Sequence, residues 1–148
     1  MNVKTVCGQL KGLAEISRDK LVLLPNISAV LNEALDDINW VGFYLAKDDS
    51  LLVGPFQGKP ACVKIEKGKG VCGTAWLKDE VQLVDDVHQF PCHIACDSAS
   101  NSEIVIPLHD RGKVVAVLDI DSPSFGRFQK DAADLIETAL VIEELVEW

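Results

Sequence analysis

Histidine and positive charge are both scarce in this chain. Its 148 residues include three His, one Met and one Tyr, and 14 Lys and Arg stand against 23 Asp and Glu, for a formal net charge of −9. The basic residues are scattered and form no stripe, so the electrostatic footprint that a phosphate backbone needs is missing and no nucleic-acid partner is expected. No apolar run approaches the roughly 20 residues that span a bilayer. The opening MNVKTVCGQLKGLAEISRDK carries charges every few positions and lacks the apolar core of a secretory signal. No membrane partner is expected, and the expected location is the cytosol. Several catalytic signatures are also absent. There is no G-x-S-x-G elbow, no P-loop, no H-E-x-x-H helix and no C-x2-C pair. Internal repeats, linkers and low-complexity stretches are missing too.

What is present suits one globular domain over residues 1–148, with 48% apolar and 25% charged residues. Val6, Leu10, Leu13 and Ser17 share one helical face, which predicts a helix over 3–18. Pro25 and Asn26 read as a start signal for a second helix through Ile27, Val30, Leu31, Ala34 and Leu35 to the Asp36, Asp37 boundary. Two runs after Trp40, VGFYLA and LLVGPF, predict a hairpin, followed by a short strand over Cys62 to Ile65. Gly68 and Gly70 make a turn into a short helix, GVCGTAWLKDE, and VQLVDD is a further strand. Residues 86–102 lack periodicity and make an unusually long loop, the kind that carries function. EIVIPL and KVVAVLDID form a second hairpin about His109 to Gly112, with Pro107 near a strand end. Phe128, Ala132, Leu135, Ala139, Ile142 and Val146 mark a long final helix. This order predicts an α+β domain, a mostly antiparallel sheet flanked by helices.

Alternation along VVAVLDID puts Val115, Val117, Asp119 and Asp121 on one sheet face and Val114, Ala116, Leu118 and Ile120 on the other. Two carboxylates thus leave an apolar strand together, where like charges raise each other's pKa unless a cation or donors satisfy them. Glu103, just before the neighbouring strand, is a candidate third member. Three readings stand at this point. The pair ends the strand facing water, it receives a cationic ligand, or it ligates a hard metal ion.

Five cysteines in a chain expected to be cytosolic argue for chemistry more than for a disulfide framework. Cys7, beside Val6 on the first helix, reads as a buried, inert thiol. Cys62, Cys72, Cys92 and Cys96 are clustered in sequence, Cys72 at the opening of the short helix and Cys92 and Cys96 flanking His93. A helix N-terminus or a cation lowers a thiol's pKa and makes the nucleophilic thiolate available. Structural zinc is disfavoured by the spacings.

The strings INWVGFYL, LLVGPFQGKPACVKI, GKGVCGTAW, VDDVHQFP, HIACDSASNSEIVIPL and VVAVLDIDSP resemble those of the free methionine-(R)-sulfoxide reductases, a branch of the GAF fold, from about Ile38 to Asp134. The resemblance implies a single GAF-like domain with Cys96 as nucleophile and either Cys62 or Cys72 as the resolving thiol. It implies substrate contacts from Trp40, Tyr44, Glu103, Asp119 and Asp121, and a proton from Glu103, with Asp121 as the other candidate donor. No cofactor and no metal are called for; thioredoxin or a similar dithiol is the expected reductant. Cys92 departs from the glycine usual in the family's FPGHIACD string and leaves open which disulfide forms first. GAF domains also serve as sensory modules. That alternative is weakened by the lack of an attached output domain in this chain, and a third reading makes the cysteines a substrate-free redox switch. A homodimer paired through the first and last helices is also expected.

Overall fold

The computed structural model describes residues 1–93 and 96–148. Ile94 and Ala95, within the long loop and the HIACD string, lie outside the described residues. Helices α1 (Val3–Ile16) and α2 (Lys20–Ala34) precede strands β1 (Trp40–Lys47), β2 (Ser50–Gly58) and β3 (Lys64–Glu66). Helix α3 (Gly70–Lys78), strand β4 (Gln82–Val84) and a 3-10 turn (Val87–Gln89) follow. Strands β5 (Ser102–Asp110) and β6 (Lys113–Ser122) and helix α4 (Ala132–Leu145) complete the order. The six strands form one antiparallel sheet in the order β3-β2-β1-β6-β5-β4, so the α+β expectation holds.

The two faces of the sheet carry different cores. On one, Leu10 of α1, Leu24, Ile27 and Leu31 of α2 and Leu135 and Ile142 of α4 meet Ile104, Leu118 and Ile120 of the central strands. The other is narrower: Trp40, Tyr44, Ile65, Val105 and Val117 pack with Val71, Cys72, Ala75 and Trp76 of α3. Three helices thus seal one face, and a single short helix leaves room for a cleft on the other.

Four local expectations are corrected. Helix α2 starts before Pro25 because the Asp19 carboxylate caps it, Oδ1 accepting from the Leu21 amide at 2.8 Å. Pro25 costs the bond to the carbonyl of Leu21, a residue on the exposed side of the helix. Pro107 lies inside β5 opposite Val117, not at a strand end. It is tolerated because β4 pairs only with Glu103 to Val105, so the outer edge of β5 is free at Pro107. The register slips between Leu108 and His109, which pair with Ala116 and Val114. This bulge puts Val114 in the same cluster as Val117 and breaks the simple alternation. Finally, β3 begins at Lys64, so Cys62 sits in the preceding loop, outside the ladder.

A buried Arg127, which no periodicity marks, fastens the segment before α4. Its Nε and Nη2 donate to the Asp36 carbonyl at 3.0 and 2.8 Å, and its Nη1 donates to Asp131 Oδ2 at 2.6 Å.

Candidate functional site

The cleft on the α3 face encloses about 550 Å³ of empty space, part of it open to solvent. Register builds its acidic floor. Antiparallel pairing sets Asp119 opposite Gly42 of β1 and Val105 of β5, and Asp121 opposite Trp40 and Glu103. Directly opposed residues in an antiparallel pair share a face, so Glu103 and Asp121 emerge together, with Asp119 two residues along. A Cβ on Gly42 would stand 2.3 Å from Cβ of Phe56, so only glycine fits where β1 passes β2 beneath this floor.

Trp40 and Tyr44 form the aromatic wall. Their rings stack with centroids 5.8 Å apart, and Phe56 also stacks on Trp40, at 5.0 Å. Both polar edges are anchored, with Trp40 Nε1 donating to the Lys59 carbonyl at 3.2 Å and Tyr44 Oη to the Cys62 carbonyl at 2.9 Å. The second bond ties the wall to the cysteine loop.

Helix α3 closes the far side. Gly73 lets it approach, since a Cβ there would lie 2.5 Å from the Glu66 carbonyl. Its opening residues Gly70, Val71 and Cys72 line the cleft, and Cys72 Sγ lies 3.9 Å from Glu103 Oε1. A helix N-terminus by itself lowers a thiol's pKa. Here burial, followed by the charges of Asp119 and Glu103, pushes the Cys72 thiol well up, so it is held protonated. The same forces act on the carboxyls. Burial, then Asp119 and Asp121, raises Glu103 well above the carboxylate range; burial raises Asp119 to about 6; burial, then Asp119, raises Asp121.

The structure joins Cys62 and Cys96 as a disulfide, with Cα atoms 5.5 Å apart across 34 residues of sequence. Cys96 lines the cleft. Cys72 is a free buried thiol beside the carboxylates, and Cys7 is free and buried on α1. Cys92 is free and exposed, does not line the cleft, and has a positive φ of 59°. Every residue singled out for substrate contact therefore surrounds one space, and the Cys92 side chain stays outside it while its carbonyl accepts from the cleft-lining Gly70 amide at 3.1 Å.

Sequence reasoning missed part of the lining: Lys59, Lys69, His93, Asp97 and Ser100. Asn39 supports these from behind, its Nδ2 donating to Asp97 Oδ2 and Ser100 Oγ, each at 3.0 Å. The Ala99 amide, first among several donors, holds the Asp97 carboxyl below the ordinary range. Burial pushes His93 down and favours the neutral ring. The one available signal was the DSAS run, whose Asx-type turn is a local motif. The basic side chains gave none, because isolated lysines on loops are ordinary surface residues.

Known proteins share this chain's sequence pattern and fold. A model of the GAF domain matches residues 26–140. A free methionine-R-sulfoxide reductase of Escherichia coli is 54% identical over 127 residues, covering 85% of this chain and 77% of that protein. The structure of fRMsr of Staphylococcus aureus in its reduced form superposes with a TM-score of 0.94 at 48% identity, covering 99% of this chain and 96% of the other. That of a free methionine-R-sulfoxide reductase from Neisseria meningitidis in complex with its substrate gives 0.90 at 43% identity, covering 96% and 86%. These matches span both the sheet and the cleft, and the chain belongs to the GAF family and, within it, to the free methionine-R-sulfoxide reductases.

Proposed function

We propose that this chain reduces the sulfoxide of free methionine, in its R form, by thiol chemistry in the cleft. One observation carries the reading: the Cys62–Cys96 disulfide adjoins the same space as three buried carboxylates and an aromatic wall. A free amino acid brings an α-ammonium, the cation that such carboxylates lack. Asp119 and Asp121 receive it, while Trp40 packs on the S-methyl group and Tyr44 braces the wall.

In the reduced enzyme the Cys96 thiolate attacks the sulfoxide sulfur. Glu103, kept protonated by burial and its acidic neighbours, donates to the sulfoxide oxygen and makes the sulfur electrophilic. Oxygen passes to Cys96 as a sulfenic acid and methionine leaves, so sulfur of the substrate is reduced as Cys96 is oxidised. The Cys62 thiol then condenses with the sulfenic acid, releasing water and forming the disulfide. Thioredoxin or a similar dithiol resets the pair by exchange, as a thiol-reducing cytosol would supply. Cys72, protonated and buried, is not the resolving thiol in this scheme. Peptide-bound methionine sulfoxide lacks the free ammonium and is discriminated against.

The test is coupled turnover of the separated free R and S sulfoxides by the intact protein and by Cys96→Ser. Activity confined to the R form and abolished by the substitution supports the assignment. No turnover of either epimer by reduced protein overturns it.

A further inference from the structure

Beneath the disulfide the cleft floor holds a second donor set, which the redox cycle proposed above does not need as a unit. Cys72, Glu103 and Asp119 each offer one ligand atom, a thiol sulfur and two carboxylate oxygens, and all three atoms lie within 4.8 Å of one another. All three residues are buried. A separate observation points to a cation. Among the described residues, Oδ1 of Asp119, a residue only 6% exposed, has no hydrogen-bond partner, and a buried carboxylate oxygen without a donor is costly until a cation meets it.

We propose that Cys72, Glu103 and Asp119 form a three-ligand site for a thiophilic divalent cation, with Zn2+ the species that fits. One sulfur and two oxygens suit a borderline ion and disfavour Ca2+ and Mg2+, which want oxygen alone. Tetrahedral zinc sets such donors about 3.5 Å apart. The 3.9 Å from Cys72 Sγ to Glu103 Oε1 needs only a small contraction. The fourth position faces the cleft and takes water. On binding, the Cys72 thiol and the Glu103 carboxyl each release a proton to solvent and become ligands. No electron moves, and the Cys62–Cys96 disulfide is untouched.

Because Asp119 and Glu103 also belong to the proposed substrate pocket, zinc and a free amino-acid sulfoxide exclude each other. This competitive inhibition rests on the reductase reading; the metal site does not.

The test uses the purified full chain in its Cys62–Cys96 disulfide form, without reductant, so that neither redox thiol is available as a ligand. Zn2+ is titrated by calorimetry and Co2+ is followed in parallel for a thiolate-to-metal charge-transfer band in the near ultraviolet. One equivalent of metal binds, and Cys72→Ser and Asp119→Asn each weaken it by about tenfold or more. The cobalt band is lost in Cys72→Ser and unchanged in Cys92→Ser. Asp119→Asn keeps the thiol, so the outcome does not depend on one variant folding. Absence of binding by the disulfide form, or an affinity and band unaltered in Cys72→Ser, overturns the site. Free methionine (R)-sulfoxide then displaces the bound metal; retention of zinc at saturating sulfoxide overturns the competition. Failure of every sulfoxide to turn over in the coupled assay would remove the reductase reading and leave the result of the metal titration intact.

Discussion

Glu103 on β5 and Asp121 on β6 are direct cross-strand partners, two carboxylates side by side over an apolar core. Like charges in that relation destabilise a sheet, and here burial and the acidic neighbours hold Glu103 protonated, so the pair is not doubly charged. Burying two carboxyls side by side is costly for the sheet, and a cationic ligand in the cleft would offset that cost.

Asp121→Asn therefore separates binding from folding. Removing one charged acceptor of the ammonium costs about 1.5–3 kcal/mol, which is about tenfold to a hundredfold in KM for the free sulfoxide. Urea denaturation of the same variant should show a midpoint equal to or above that of the parent. A lowered midpoint with unchanged KM would contradict the ammonium role.

The resolving thiol is open to a direct test. With Cys62 beside Cys96 and Cys72 buried and protonated, Cys72→Ser should still form a Cys62–Cys96 disulfide after one turnover with substrate. Cys62→Ser should instead accumulate a sulfenic acid on Cys96, trapped by dimedone and read by intact-mass spectrometry. A Cys72–Cys96 disulfide in the parent protein would reverse the assignment.

Cys92 sits at φ 59°, where a side chain is strained and glycine is not. Cys92→Gly is expected to stabilise the protein by about 1 kcal/mol, the strain relieved less the added freedom of the unfolded chain. Turnover should be unaltered, since Cys92 lies outside the cleft. A raised denaturation midpoint with parental kcat checks both halves.

His109 links three elements away from the cleft. Its Nε2 is 2.6 Å from Asp79 Oδ1 at the end of α3, and its Nδ1 is 2.6 Å from Glu143 Oε1 on α4. Burial alone would lower its pKa, but hydrogen bonds to Asp79 and Glu143, and then their charges, raise it. Since the folded value exceeds the unfolded one, near ~6.5, the stabilisation is complete below that pH. It disappears as pH rises through the folded value. Denaturation midpoints measured from pH 6 upward should decline in the parent and be flatter in His109→Gln. Partial exposure of the pair keeps the effect small.

Much of this architecture was legible beforehand because it follows from short-range rules. The spacing of Val6, Leu10 and Leu13 is a helical face wherever it occurs, and α1 follows from it, ending two residues earlier than expected. The two hairpins follow from apolar runs around polar turns. The bulge at Val115, the early start of α2 and the interior place of Pro107 did not follow, because each depends on what a neighbouring strand or cap supplies. Cys7 read as inert and is buried and free. The reactivity suggested for Cys72 by its helix N-terminus is opposed first by burial and then by Asp119 and Glu103 from strands far away in sequence.

By itself, then, the chain determined its periodicities, its acidic surplus and the residue types available for thiol and carboxylate chemistry, since these are properties of composition and neighbours along the backbone. Only the tertiary structure decided which of them meet. Strand register placed Glu103 against Asp121, loop closure across 34 residues brought Cys62 to Cys96, and burial beside carboxylates kept Cys72 protonated. Distance along a chain says little about distance in space once a sheet pairs its strands, and the pKa of a thiol is set by what surrounds it.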